Sequence, residues 1–233
     1  MAARRKEMQA EHPLASNVVS LQVQEPQSLR DAAYEAIKHR IITCVLKPGE
    51  YVNEAYLSST LGIGRTPVRQ AIDRLMLEGM VDVIPRKGVI VKPVSLDEIM
   101  QIIEVRLLTE AYCVRLAADR ADRDEIIHLS DILARAHQWI EARNSEHLML
   151  LDREFHMVLA RASKNAVLGD CLAKLHDRSL RFWFISLNRP GHHKSVQDQH
   201  QAILAAIKDR DPAGAEDAMR AHINAFRNNL TRT

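Results

Sequence analysis

The chain has 233 residues, 46% of them hydrophobic but only 4% aromatic, with eight Gly and eight Pro, a balance that favours helices over a sandwich or barrel. A formal charge of +2 excludes a histone-like binder, and the small positive excess sits in the first 93 residues, which carry 13 Lys/Arg against 10 Asp/Glu. Three scattered cysteines without CxxC spacing argue against a disulfide framework or zinc ribbon, and with no signal peptide and no apolar run of about 18 residues the expectation is a cytoplasmic protein that does not enter a membrane.

Residues 1–27 hold Pro13 and Pro26 and no sustained period, which reads as a mobile arm. Ser28 is placed to cap a helix running to about Cys44, with Leu29, Ala33, Ile37, Ile41 and Val45 at helical spacing, and Pro48-Gly49 turns the chain. A short helix from about Asn53 to Leu61 stops at Gly62. Another begins near Arg65 and runs to Gly79, with Pro67 in its first turn, where proline is tolerated. Two β-rich runs, 81–84 and 89–91, flank Pro85-Arg86-Lys87-Gly88 and read as a hairpin. Residues 28–93 are thus predicted to form a winged helix-turn-helix of three helices plus a β-hairpin. Lys92-Pro93 is the linker, and residues 94–233 are predicted to form an all-α bundle of about six helices, near 95–119, 122–143, 145–163, 165–188, 194–209 and 212–230. Ser95, Asp122, Ser145 and Asp211 are the candidate caps. The fold class is therefore mainly α.

Leu57, Leu61, Val68, Ile72 and Leu75 form a small core that fixes the two short helices at a steep angle, and Gly62 allows the turn between them. The second helix then presents Arg65, Thr66, Arg69 and Gln70 near its N-terminus, where free N–H groups favour phosphate and arginine can read guanine. The hairpin tip adds Arg86 and Lys87 beside Gly88, which permits close backbone approach to a groove or phosphate. A cluster of cations alone is usually a solvated surface; the ordered sequence of turn, basic helix and basic hairpin favours double-stranded DNA.

At these residues the sequence resembles the GntR family of bacterial regulators. Leu46-Lys-Pro-Gly-Glu50, the run Leu61-Gly-Ile-Gly-Arg65-Thr-Pro-Val-Arg69-Gln-Ala-Ile72, and Leu75 with Glu78-Gly79 carry the likeness. It implies operator contacts by Arg65, Thr66, Arg69 and the wing tip around Gly88. Two positions depart from the pattern. Gly64 stands where the family usually has Ser or Thr, which removes one phosphate contact, and Ala55 stands where some members have a contacting arginine.

The second half places polar residues in apolar stripes. Asp152 and His156 are four apart on a helix with Leu148, Leu151, Phe155 and Leu159; His200 lies among Val196, Ile203, Leu204 and Ile207; His222 lies among Ala215, Met219, Ile223 and Phe226. Burying these groups unpaired is costly, and one divalent ion, Zn or Ni by donor type, would satisfy all four. Taken singly, each histidine is more often a satisfied core residue, and Asp152–His156 an ordinary pair. Arg106 shares a stripe with Ile99, Ile102, Ile103, Glu110 and Cys113. Its partner is either Glu110 at i+4 or the carboxylate of a ligand. His176, at the edge of an apolar stripe, is a candidate pocket residue. His192 and His193 are placed in a loop, and Phe182, Trp183 and Phe184 in the core.

Here the resemblance extends to the FCD ligand-binding domain of the FadR-type GntR subgroup, on Glu104-Val-Arg106 with Glu110, Asp152-Arg-Glu-Phe-His156, Asp198-Gln-His200 with Ile203-Leu204, and Ala218-Met219 with His222-Ile223. It implies a divalent metal on Asp152, His156, His200 and His222, with a small organic acid completing its coordination. It also implies Arg106 as the carboxylate-binding residue, with Arg153 a second effector contact. The resulting expectation is a homodimeric, ligand-responsive repressor or activator, with repressor favoured, whose DNA affinity changes when a carboxylate effector shifts the spacing of its two DNA-reading modules. The rival readings are a constitutive dimeric DNA binder with a structural helical domain, and a metal-dependent hydrolase, against which the lack of HExxH counts.

Overall fold

The computed structural model describes residues 28–93, 95–186 and 192–230, without the side chains of 183–186. The predicted arm at 1–27 and the core roles of Trp183 and Phe184 lie outside the described residues.

The first half runs α1 (Leu29–Ile42), β1 (Tyr51–Val52), α2 (Glu54–Leu61), α3 (Arg65–Leu77), β2 (Val81–Ile84) and β3 (Gly88–Val91). The starts of α1 and α2 have a local cause. Ser28 Oγ accepts from the Asp31 amide (3.1 Å) and Asn53 Oδ1 from the Tyr56 amide (2.7 Å), each satisfying an N–H that the first turn leaves without a helical partner. Gly62, at φ 65°, takes the left-handed C-cap of α2 and turns the chain into α3. Ile37 and Ile41 of α1 meet Leu57, Val68, Ile72 and Leu75 in one buried cluster, while Leu61 packs on it half-exposed.

The wing has a strand that the alternation pattern did not reveal. β1 pairs antiparallel with β3 through Tyr51↔Ile90 and Val52↔Val89, giving a three-stranded sheet of order β1-β3-β2. Two residues are too few to show a period in sequence. The β2–β3 register, Val81↔Val91 to Ile84↔Gly88, closes the expected hairpin.

The second half is α4 (Leu96–Arg120), α5 (Arg123–Glu141), α6 (Ser145–Ala162), α7 (Ala166–Ser186), α8 (His192–Lys208) and α9 (Pro212–Leu230). Ser95 caps α4, Asp122 and Glu125 form a reciprocal capping box on α5, and Asp211 Oδ1 accepts from Gly214 N (2.9 Å) at the start of α9. The cap of α6 is Asn144 rather than Ser145, because its Oδ1 accepts from the His147 amide (3.0 Å). His192 and His193 open α8 instead of lying in a loop, and His192 is buried. Among the described residues no helix is long and apolar enough to cross a membrane.

α4 is the central helix, packed against α6, α7, α8 and α9, and its Ile99, Ile102 and Ile103 belong to the same buried cluster as the α1–α3 core. The two halves also meet through α7, where Asp177 pairs with Lys38 of α1 and Arg181 Nη1 donates to the Lys92 carbonyl (2.9 Å).

Candidate DNA-reading face and candidate metal centre

α3 is amphipathic, with Val68, Ala71, Ile72 and Leu75 buried, and that orientation leaves Arg65, Thr66, Arg69 and Gln70 exposed on one face near the helix start. Its N-cap is Gly64, which offers no side-chain oxygen, so the first-turn amides have no capping acceptor. Arg69 is not idle. It forms a two-pronged bond to Glu54 of α2, Nε to Oε1 at 3.1 Å and Nη2 to Oε2 at 2.8 Å. Sequence reading missed Glu54, because no spacing rule links residues on two helices.

Arg86 and Lys87 are exposed at the wing tip, with Arg86 in the left-handed region at φ 65°. Gly88 also has a reason internal to the sheet: at φ 104°, a Cβ there would sit 2.9 Å from the Val52 carbonyl oxygen. The close pairing of β1 with β3 requires it.

In the helical half, α6 contributes Asp152 and His156, α8 His200 and α9 His222. One donor atom from each lies within 4.8 Å of all the others. The periodicity of each helix aims its ligand inward, and the packing of α4 on α6, α8 and α9 brings the three together. Asp152 Oδ1 is 3.5 Å from His200 Nε2, and the His200 ring stacks on Phe155 with centroids 4.3 Å apart.

The hydrogen-bond pattern tests whether a metal fits. His156 Nδ1 lies 2.7 Å from Glu110 Oε2, and its buried Nε2 has no hydrogen-bond partner. His222 Nδ1 donates to Gln199 Oε1 at 2.8 Å, which leaves Nε2 as the free lone pair. His200 Nε2 is also buried without a hydrogen-bond partner. Imidazoles fixed at one nitrogen by a carboxylate or amide, with the other bare, are the arrangement of metal-binding histidines. Protonation would not relieve His200 or His222. Burial pushes His200 down to about 3, and burial together with the neighbouring His200 and His156 holds His222 well below its ordinary range. Burial opposes charge on Asp152, but His176, His156 and His200 overcome it and keep the carboxyl well below its usual value. One carboxylate beside three imidazoles is a divalent-cation donor set, and the residues fit.

Arg106 is buried and paired with Glu110 (Nε to Oε1, 2.5 Å), and Nη1 donates to Ser179 Oγ at 3.2 Å. Its partner is therefore the i+4 carboxylate. Glu110 bridges Arg106 to His156, and the Arg106 charge with the His156 contact outweighs burial to hold its carboxyl well below the ordinary range. Arg153 does not join the cluster. Its Nε donates to Asp177 Oδ1 at 2.5 Å, in the network facing α1. A cavity of about 30 Å³ lies between Arg106, Asp152, His176 and His222. The roles of Gln199 and Ser179 had no signal in the sequence, whereas the Glu110–Arg106 spacing was visible and the link from Glu110 to His156 was not.

Comparison with known proteins places both halves. The model of bacterial regulatory proteins of the gntR family matches residues 29–91, and the FCD domain model matches residues 101–225. The chain is 32% identical to the Nta operon transcriptional regulator of Aminobacter aminovorans over 179 residues, 76% of this chain and 82% of that protein. It is 31% identical to the HTH-type transcriptional repressor GlaR of Escherichia coli over 202 residues, covering 82% and 90% of the two chains. The fold is similar to that of E. coli McbR/YncC, with a TM-score of 0.80 at 23% identity, covering 88% of this chain and 98% of that one.

Proposed function

The chain belongs to the gntR family of bacterial regulatory proteins and carries an FCD domain, and on that premise we propose that this DNA-binding transcription regulator is a homodimeric repressor that senses a small organic acid at a metal centre. Its family is one of regulators rather than enzymes. The observation that carries the sensing reading is the set of four donor atoms from three helices, with His156 Nε2 and His200 Nε2 buried and unsatisfied. FCD domains commonly bind metal, and Asp152, His156, His200 and His222 would hold Zn²⁺ or Ni²⁺ here. The bound ion supplies Lewis acidity toward an effector carboxylate.

The chain's own residues do the rest. Glu110 and Gln199 orient His156 and His222. Arg106 presents a cation at the small cavity, and an effector carboxylate there competes with Glu110 for it. Because about 30 Å³ admits little more than one water, an acid enters only as helices move apart. That movement supplies the differential affinity that ligand control requires. Arg153, bound to Asp177, passes it toward Lys38 and α1.

On DNA, Arg65, Thr66, Arg69 and Gln70 read the major groove while Arg86, Lys87 and the backbone at Gly88 contact phosphate. Two copies give a palindromic operator, and the exposed Val105, Leu108 and Tyr112 on one face of α4 suit contact with a second copy. The repressor assignment follows the likeness to GlaR, a transcriptional repressor. The test is elemental analysis of tag-free protein prepared without chelator, followed by operator binding across mono- and dicarboxylic acids. About one metal per chain and an acid that weakens operator binding are expected. Absence of metal, with no uptake of added Zn²⁺ or Ni²⁺, sinks the sensing reading but leaves the DNA-binding regulator.

A further inference from the structure

A second and much larger cavity, of about 570 Å³, lies among α4, α6 and α7. It shares only His176 with the small cavity beside Arg106, and only His156 with the four metal-ligand candidates. Its volume falls within the usual range for small-molecule sites, roughly 300–1,000 Å³. Its walls are apolar: Cys113 and Val114 of α4, Leu159 and Ala160 of α6, and Leu172 of α7.

The buried part of the polar wall is small and specific. His176 is 4% exposed, and neither ring nitrogen has a hydrogen-bond partner. Nε2 stands 3.4 Å from Asp152 Oδ2, so the ring proton belongs on that edge, and Nδ1 on the other edge is left as a bare acceptor. At the buried end the other polar wall groups are His156 and Glu110, a carboxylate already paired with Arg106 and His156, while the exposed Arg161, Lys164 and Asp170 and the half-buried Asn165 stand at the mouth. At that buried end, away from the cations of the mouth, a ligand carboxylate would face Glu110 and a ligand cation would add to Arg106 behind it. Both acceptors instead favour an uncharged donor.

We propose that this cavity binds an uncharged apolar molecule bearing one hydroxyl, an alkyl or aryl alcohol, whose O–H donates to His176 Nδ1 while its body packs among Cys113, Val114, Leu159, Ala160 and Leu172. This ligand coordinates no metal and is distinct from the organic acid. His176 is followed by Asp177, the partner of Lys38, so the occupied cavity touches the helix that joins the two halves.

Calorimetric titration of the full chain with 4-propylphenol, its methyl ether 4-propylanisole and 1-octanol tests it. Saturable binding of the phenol and of octanol is expected, with the ether about tenfold weaker for want of one hydrogen bond to a buried acceptor. Ala160→Trp fills the cavity and abolishes binding. His176→Phe keeps the apolar walls, so phenol and ether then bind alike, which serves if the larger substitution does not fold. His200→Ala removes a metal ligand and leaves phenol affinity within about twofold, which separates this site from the metal reading. The proposal fails if the wild type binds neither alcohol up to the solubility limit, if phenol and ether bind equally to it, or if a folded Ala160→Trp binds as the wild type does.

Discussion

Asp177 on α7 and Lys38 on α1 form a buried ion pair that ties the helix flanking the His/Asp cluster to the first helix of the DNA-reading module. Asp177 also accepts from Arg153 of α6. Lys38 donates to Tyr34 Oη (2.7 Å), which donates in turn to Glu78 (2.7 Å) at the end of α3. One chain of charged contacts thus runs from the residue beside a proposed metal ligand to the C-terminus of the DNA-reading helix.

Asp177→Asn leaves Lys38 and Arg153 without their carboxylate and is expected to lower stability by about 3 kcal/mol at neutral pH. Burial disfavours charge on Asp177, but Arg153 and Lys38 overcome it and hold the carboxyl below its ordinary value. A carboxyl lowered in the folded state contributes stability that is present above the unfolded value, about pH 4, and is lost as pH falls through the folded value. The Tm gap between wild type and variant should therefore be full at pH 7 and narrow below about pH 4. A gap constant down to pH 3 would show that the pair is not linked to ionisation.

Chelation should lower Tm on the order of 10 °C. Ligand linkage contributes about 4 kcal/mol at a thousandfold excess over Kd, and a chain of this size shifts about 2–4 °C per kcal/mol. His200→Ala should show no such drop, bind no metal and still bind operator. A chelator effect that persists in His200→Ala would move the metal elsewhere.

Gln199→Leu removes the acceptor that orients His222 without touching a ligand or stranding a charge. Metal affinity should fall about 10- to 100-fold while the far-ultraviolet circular dichroism stays that of the wild type. Competition against a metallochromic dye reads it directly, and an unchanged Kd would deny Gln199 a positioning role.

Arg65→Ala should weaken operator binding by about 1–3 kcal/mol and relax preference at one base pair, because its exposed guanidinium has room to reach a base edge. Lys87→Ala should weaken all sequences alike and reduce the salt slope by about one. Fluorescence anisotropy at several salt concentrations separates the two. A Lys87→Ala effect confined to one sequence would reassign the wing tip.

Leu108→Asp puts a charge at the centre of the exposed α4 face, where Leu108 is 68% exposed. Light scattering should show a monomer with unchanged helicity, and operator affinity should fall with loss of two-site engagement. A dimer that survives would place the interface elsewhere.

Periodicity carried most of the helices, because Ile37, Ile41, Val68, Ile72, Ile99 and Ile103 recur at the spacing that burial demands and are all buried. The four ligand candidates were visible for the same reason, as polar residues interrupting apolar stripes. What escaped was set by contacts between elements. β1 is held by β3 rather than by its own two residues. Gln199 reaches His222 on another helix, Arg69 is held by Glu54, and Arg153 turns toward Asp177 although its neighbour Asp152 turns into the cluster. Adjacent helical residues point about 100° apart, so nearness in sequence to a ligand says little about direction.

Residues 176–181 of α7 carry the cavity wall at His176, the Lys38 partner at Asp177, the Glu98 partner at Arg178, the Arg106 partner at Ser179 and the donor to the Lys92 carbonyl at Arg181. A gene fusion cut in the linker would separate Lys38 and Lys92 from the residues they were selected with. The heritable module is therefore larger than the helix-turn-helix. A recombinant that borrows another regulator's DNA specificity would have to inherit this stretch of α7 with it, or evolve the contacts again.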